Sequence, residues 1–371
     1  MKNKLQVEIT TTQSCNMACT YCFEGAELQN KKKQMHIDTI LAKLIELKNS
    51  DKFKDEFSGI NINFWGGEPT MAFEVCNKII THFKDSDTTF FFYTNGYSSF
   101  GTNLILQHYI KEIGTNFDRI SFQVSYDGLY NDIERVDHKG EATSPKIFNF
   151  LDFMKEKYPD VVIRLKSVML PEHLKTASKN WKHFKDIVER YNNPAFCWAP
   201  TLEYTNNYNI TQNDLNEIEI ELLKIAKLEM EYFKKTNHFL LTWFSSASPA
   251  VCSAGTNILN IDLDGNLTVC HGALYSSKKE ELTLSNITNE HFIEEYFNNR
   301  MLFKNAFLNR QSTLPDECVG CDATVCYQCP TVNFDNSKKE KNSDKFYDIK
   351  TDLCDIYKMF GRISQVVNKN L

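Results

Sequence analysis

Three cysteines lie within eight residues near the start of the sequence, in Cys15-Asn-Met-Ala-Cys19-Thr-Tyr-Cys22. Thiolates at this spacing can wrap one corner of an iron–sulfur cubane, but they leave one of its irons without a protein ligand. An iron left open can take a small molecule, so the ligand count points to a catalytic cluster rather than a plain electron carrier. A structural zinc site wants four closed ligands, usually from paired C-x2-C knuckles, and the one nearby candidate for a fourth is His36. Iron is therefore the better reading.

A second field of cysteines lies far downstream, at Cys252, Cys270, Cys318, Cys321, Cys326, Cys329 and Cys354. Cys318-x2-Cys321 and Cys326-x2-Cys329 could form a four-cysteine zinc ribbon by themselves, but that would leave Cys252, Cys270 and Cys354 unexplained. Cys76 sits among apolar residues at helical spacing and reads as a small buried hydrophobe. Cys197 lies in a strand-like run and reads either as a packed strand residue or as a hydrogen-atom donor to a substrate radical.

The elements that must position these groups alternate. Strand-like runs at 5–11, 59–64, 88–93, 119–126, 161–168 and 195–198 are separated by amphipathic stretches at 37–47, 73–83, 103–113 and 145–157. That alternation indicates βαβ units on a parallel sheet. Six units are too few for a closed eight-stranded barrel and suit an α/β partial (β/α)6 TIM-like barrel, with chemistry at the C-terminal ends of its strands. Residues 1–200 form this unit, 201–244 a polar connection and a bridging helix at 215–235, and 245–371 a cysteine-rich unit. In the last, Asp264-Gly265 marks a hairpin between 260–263 and 267–270.

A net charge of -6 argues against broad electrostatic capture of nucleic acid. The first residues lack the apolar core of a secretory signal, and no run is long enough to span a membrane. A cytoplasmic protein is expected. Cytosolic thiols stay reduced, so the twelve cysteines suit metal or redox chemistry better than disulfides.

The C-x3-C-x-aromatic-C loop after the first strand resembles the signature of the radical S-adenosylmethionine superfamily. Phe64-Trp65-Gly66-Gly67-Glu68-Pro69 looks like that family's GGEP element, although Pro at a helix start gives it a bland turn reading too. Tyr93-Thr94-Asn95-Gly96 and Val124-Ser125-Tyr126-Asp127-Gly128 resemble family positions near the cofactor, while Asp-Gly is also good turn chemistry. The resemblance implies a [4Fe–4S] cluster on Cys15, Cys19 and Cys22, and S-adenosylmethionine held by Tyr21, Gly66, Gly67, Glu68, Asn95, Ser125 and Arg135. Glu68 would pair with the cofactor's ammonium and Arg135 with its carboxylate. Cleavage of the sulfonium would give a 5′-deoxyadenosyl radical that takes a hydrogen from the substrate.

The downstream field resembles the seven-cysteine SPASM domain, with two internal spacings each one residue short. The resemblance implies two auxiliary [4Fe–4S] clusters, one on Cys318, Cys321, Cys326 and Cys354 and the other on Cys252, Cys270 and Cys329. Residues 243–251 contain no cysteine, so an open iron is expected on the latter. The family implies a peptide or protein substrate and an external electron donor such as flavodoxin or ferredoxin. With the first strand at residue 5 no room is expected for a preceding leader-binding module, so a leader would be recognised by another surface or a separate leader-recognition protein, or there is no long leader.

A peptide maturase forming a thioether or carbon–carbon crosslink is the leading expectation. Anaerobic sulfatase maturation is the alternative. There the position after the GX4C cysteine is an Asp thought to act as base, and it is His271 here. Peptide epimerisation and a non-catalytic iron–sulfur electron carrier are the remaining readings.

Overall fold

The computed structural model describes residues 2–22, 36–97, 100–113, 119–191, 198–202, 208–245, 253–276, 278–308, 321, 323 and 353–370. Among them, six parallel strands carry the N-terminal half: β1 (Leu5–Thr12), β2 (Ile60–Gly66), β3 (Phe90–Thr94), β4 (Ile120–Ser125), β5 (Val162–Met169) and β6 (Trp198–Leu202). They lie side by side in chain order, as the six βα units require.

Side chains alternate across each strand, so each strand feeds two different surfaces. Val7, Ile9, Ile62, Phe64, Phe92, Phe122 and Leu165 are all buried. They meet the apolar stripes of the crossover helices: Phe92 stacks on Tyr109 of the helix Phe100–Ile113 (5.3 Å), and Phe122 meets Phe150 of the helix Ser144–Lys157 edge-on (6.2 Å). The alternate positions face the other way and are polar or aromatic: Glu8, Thr10, Asn63, Trp65, Tyr93, Gln123 and Arg164.

The bridging helix runs Gln212–Thr236, three residues earlier than the apolar pattern suggests, because Thr211 and Asp214 form a reciprocal capping box. Asn237 ends it in the left-handed region (φ 58). The sixth strand, expected at 195–198, is described over Trp198–Leu202, and 192–197 lie outside the described residues. Trp198 N–H donates to the Leu240 carbonyl at 2.9 Å, which ties this edge strand to the segment after the bridging helix.

The C-terminal unit continues the same sheet. β7 (Ile258–Ile261) pairs parallel with β1, and β8 (Asn266–Thr268) and β9 (Thr283–Asn286) follow antiparallel, in the order β6-β5-β4-β3-β2-β1-β7-β8-β9. The expected hairpin is present and shorter than the apolar runs suggest. Gly265 turns it at φ +78, where a Cβ would strike Ile287 at 2.9 Å. Buried Arg300, on the helix Phe292–Leu308, reaches Glu56 at 2.6 Å and the Thr256 carbonyl at 2.9 Å, joining the two units. No helix among the described residues is long and apolar enough to cross a membrane.

Candidate active site

The cysteine loop leaves the C-terminal end of β1 and is strapped down by the segment after the short helix Asn131–Glu134. Ala18 and Thr20 N–H groups donate to the carbonyls of Val136 and Glu134, each at 2.8 Å, and His138 Nε2 lies 2.8 Å from the Cys15 carbonyl. From the other side comes the Gly66-Gly67-Glu68 turn. Gly67 N–H donates to Thr12 O and Glu68 N–H to Ser14 O, both at 2.9 Å. A Cβ on Gly66 would lie 2.2 Å from Thr12 O, and one on Gly67 2.3 Å from Ser14 O. These glycines thus admit the backbone of the cysteine loop.

Glu68 is buried, and its carboxylate is nearly spent inside the protein. Oε1 accepts from Thr70 N–H (3.1 Å), Thr70 Oγ1 (2.7 Å) and Thr94 Oγ1 (2.9 Å), and Oε2 accepts from Asn95 N–H (2.7 Å). A carboxylate has about four lone-pair sites, so one direction on Oε2 stays open. Burial holds its pKa above the usual range despite these donors. Asn95, placed by that contact, donates to Asn16 Oδ1 (2.7 Å) and lies 3.6 Å from Cys15 Sγ.

Under the far end of the loop, Arg135 Nη1 donates to Tyr21 Oη at 2.9 Å and Tyr21 O–H donates to Asp127. Asp127 also accepts from Val168 N–H at 2.8 Å, which anchors the relay to the end of β5. Burial lifts the Asp127 pKa to about 6 against the pull of Arg135. Arg135 Nε is buried without a hydrogen-bond partner. So the structure gathers Tyr21, Asp127 and Arg135 into one chain of contacts, with Asp127 as a structural member that turn chemistry alone would not have required. Ser125 ends β4, half-buried, in register with Lys166.

Burial pushes the Cys15 thiol up to about 12, with the Glu68 charge adding to it, and raises Cys19 against the pull of Arg135. Thiols in such a place ionise only with a cation among them, which is what a thiolate-bound iron cluster provides. Among the described residues no three His, Cys, Asp or Glu side chains already surround a metal-sized point. The donor set nevertheless fits an open cluster: three sulfurs on one loop, a buried guanidinium beside Cys19, and a lone pair left on Glu68.

His271 lies across β1 from this loop. Its backbone N–H and ring Nδ1 both contact Glu8 Oε2, at 3.0 and 2.8 Å, and its ring stacks on Trp65 at 3.9 Å. Trp65 meets Tyr93 edge-on at 4.6 Å. Glu8 was not singled out in the sequence, although a charge at a strand-interior position of a parallel sheet is unusual enough to have marked it. Cys270, Cys321 and Cys354 are half-buried, Cys354 opening the helix Cys354–Lys369. Cys76 is fully buried as expected, with Sγ 3.5 Å from the Pro69 carbonyl. Cys197, Cys252, Cys318, Cys326 and Cys329 lie outside the described residues.

Residues 9–173 match the family model of the Radical SAM superfamily, so the chain carries a radical SAM domain. Over its whole length the fold is similar to that of anSMEcpe with bound AdoMet, at TM-score 0.70 and 19% identity, covering 99% of this chain and 98% of that one. It is also similar to Streptococcus suis SuiB bound to precursor peptide SuiA, at TM-score 0.60 and 14% identity, covering 95% and 76%. Among curated proteins, a radical SAM cyclopropyl synthase, TigE of Paramaledivibacter caminithermalis, is 20% identical over 22% of this chain and 19% of its own length. An S-adenosylmethionine-dependent nucleotide dehydratase of Pseudoalteromonas ulvae is 27% identical over 38% and 47%. The chain therefore matches less than half the length of either curated relative.

Proposed function

We propose that this enzyme is a peptide maturase that takes a hydrogen atom from an unactivated C–H bond of a ribosomally made peptide and forms a thioether or carbon–carbon crosslink. The observation that carries this reading is the polar and aromatic sheet face leading from the cysteine loop, half-buried at Trp65, Tyr93 and Gln123 and exposed at Arg164. Such a face suits an extended peptide better than a compact nucleotide. When bound, the [4Fe–4S] cluster and S-adenosylmethionine supply reductive cleavage to a 5′-deoxyadenosyl radical.

The chain's own residues orient that chemistry. Cys15, Cys19 and Cys22 hold the cluster. The open lone pair of Glu68 would accept from the cofactor's ammonium, the unpartnered Nε of Arg135 would serve its carboxylate, and Ser125 and Asn95 would help hold it. Cys318, Cys321, Cys326 and Cys354, with Cys252, Cys270 and Cys329, would hold two auxiliary clusters, which would supply an electron acceptor when bound. An external flavodoxin or ferredoxin would deliver the reducing electron.

The contact of His271 with Glu8 favours formylglycine formation as a second reading, since it holds a histidine on the polar face at the position of that family's base. Anaerobic incubation of reconstituted enzyme with S-adenosylmethionine and a cysteine-containing sulfatase peptide separates the two by mass spectrometry. Formylglycine would replace the crosslink reading. Wild-type enzyme should release 5′-deoxyadenosine and Cys19→Ala should fall to background; no release from wild type would overturn both.

A further inference from the structure

The strand registers place one row of side chains across the polar face. Thr10 on β1 lies opposite Trp65 on β2, and Tyr93 on β3 opposite Gln123 on β4, which in turn lies opposite Arg164 on β5. The Trp65–Tyr93 edge contact closes the one gap in the row. One end of the row is aromatic, where His271 covers Trp65. The other end is cationic.

Arg164 stands out at that end. It is exposed although it sits within a strand, and among the described residues no carboxylate pairs with it. Its register opposite Gln123, itself opposite Tyr93, puts it on the polar face. Lys166, two residues on, puts a second cation on the same face. Glu8, two residues before Thr10 on the same face of β1, is already engaged by both the backbone N–H and the ring of His271. In a chain of net charge -6, two cations on the surface that receives substrate are not part of a general basic character. An exposed arginine left without an anion offers a flat fork of donors that can take a carboxylate in two parallel hydrogen bonds.

We propose that Arg164 docks a carboxylate of the peptide substrate, so that the enzyme selects peptides with an acidic residue close to the site of hydrogen abstraction. This rests on the maturase reading and adds the substrate class to it. Gln123, beside Arg164 in the register, supplies an amide that can complete the contact.

The test is a random dodecapeptide display library, selected anaerobically on reconstituted enzyme with S-adenosylmethionine bound, using wild type, Arg164→Gln and Arg164→Glu. Wild type should enrich Asp or Glu at one position. Arg164→Gln should lose that enrichment and bind the selected peptides at least about tenfold more weakly, the loss expected for one charge-assisted contact. Arg164→Glu should shift the preference to Lys or Arg at the same position. Unchanged acidic enrichment in both variants would overturn the proposal and leave the maturase reading standing, whereas no enrichment of any peptide by wild type would remove both. The cofactor also carries a carboxylate, so its binding is measured by equilibrium dialysis. A tenfold loss of S-adenosylmethionine affinity in Arg164→Gln with peptide preference intact would assign the guanidinium to the cofactor and overturn the proposal.

Discussion

The two faces of the parallel sheet come from the same strands and do opposite work. On the helix-covered face Ile9, Phe64, Phe92, Phe122 and Leu165 are fully buried among helix side chains. One residue along each strand, on the other face, Thr10, Trp65, Tyr93, Gln123 and Arg164 run from aromatic to cationic. Parallel sheets are normally apolar on both faces because helices cover both. Here one face is released from packing, and that release is what gives the chemistry its surface. Stability should therefore reside on one face and selectivity on the other, and substitutions can separate them.

The largest effect is expected on the helix-covered side. Phe122→Ala removes a ring that touches both Phe92 (5.5 Å) and Phe150 (6.2 Å). It should cost about 3–5 kcal/mol in denaturant unfolding, whereas Gln123→Ala, its neighbour on the polar face, should stay within about 0.5 kcal/mol of wild type. If the two cost the same, the division of labour is wrong. A smaller loss is expected where the faces meet at the cysteine loop. Gly67→Ala must push Ser14 O away from 2.3 Å, at about 1–3 kcal/mol, and should lower the iron bound per chain after reconstitution.

An effect of similar size, dependent on pH, concerns the outer edge at β6. Glu229 is buried and accepts from Leu240 and Leu241 N–H groups at 3.0 and 2.8 Å and from the Trp181 indole. Burial nevertheless raises its pKa from 4.5 to about 7. A carboxyl whose folded pKa is raised gives its stabilisation fully below the unfolded value and loses it as pH climbs through the folded one. The stability of wild type should thus fall, relative to Glu229→Gln, between about pH 4.5 and about pH 7, by roughly 1–3 kcal/mol. Urea titrations of both proteins across that window would show it, and parallel curves would mean the three donors keep Glu229 ionised throughout.

Much of this was legible in the residues. Leu5-Gln6-Val7-Glu8-Ile9-Thr10 alternates apolar and polar, and that alternation is the two faces written along one strand. The cysteine loop and the Gly-Gly-Glu turn were readable because their spacing is local. Their partnership was only half readable: the sequence suggested glycines opened to a small molecule, and the structure shows them opened to the backbone of Thr12 and Ser14. The contacts of Glu8 with His271 and of Tyr21 with Asp127 and Arg135 were hidden for a simpler reason. They join residues separated by more than a hundred positions, and no local pattern encodes a partner at that distance. The same holds for β7, which looked like the start of a separate unit and is a ninth-strand sheet's link between both halves.

That link has a consequence for how the chain is made. β1 gains its first neighbour from residues Ile60–Gly66 but its second from Ile258–Ile261, some two hundred residues after that. During synthesis the strand that leads into the cysteine loop therefore waits with one edge bare while most of the protein emerges. A bare edge is a template for wrong pairing, and contacts this distant in sequence form slowly. Loading iron before β7 arrives would fix the loop on a half-finished sheet, so cluster insertion is best timed after the last parallel strand has docked.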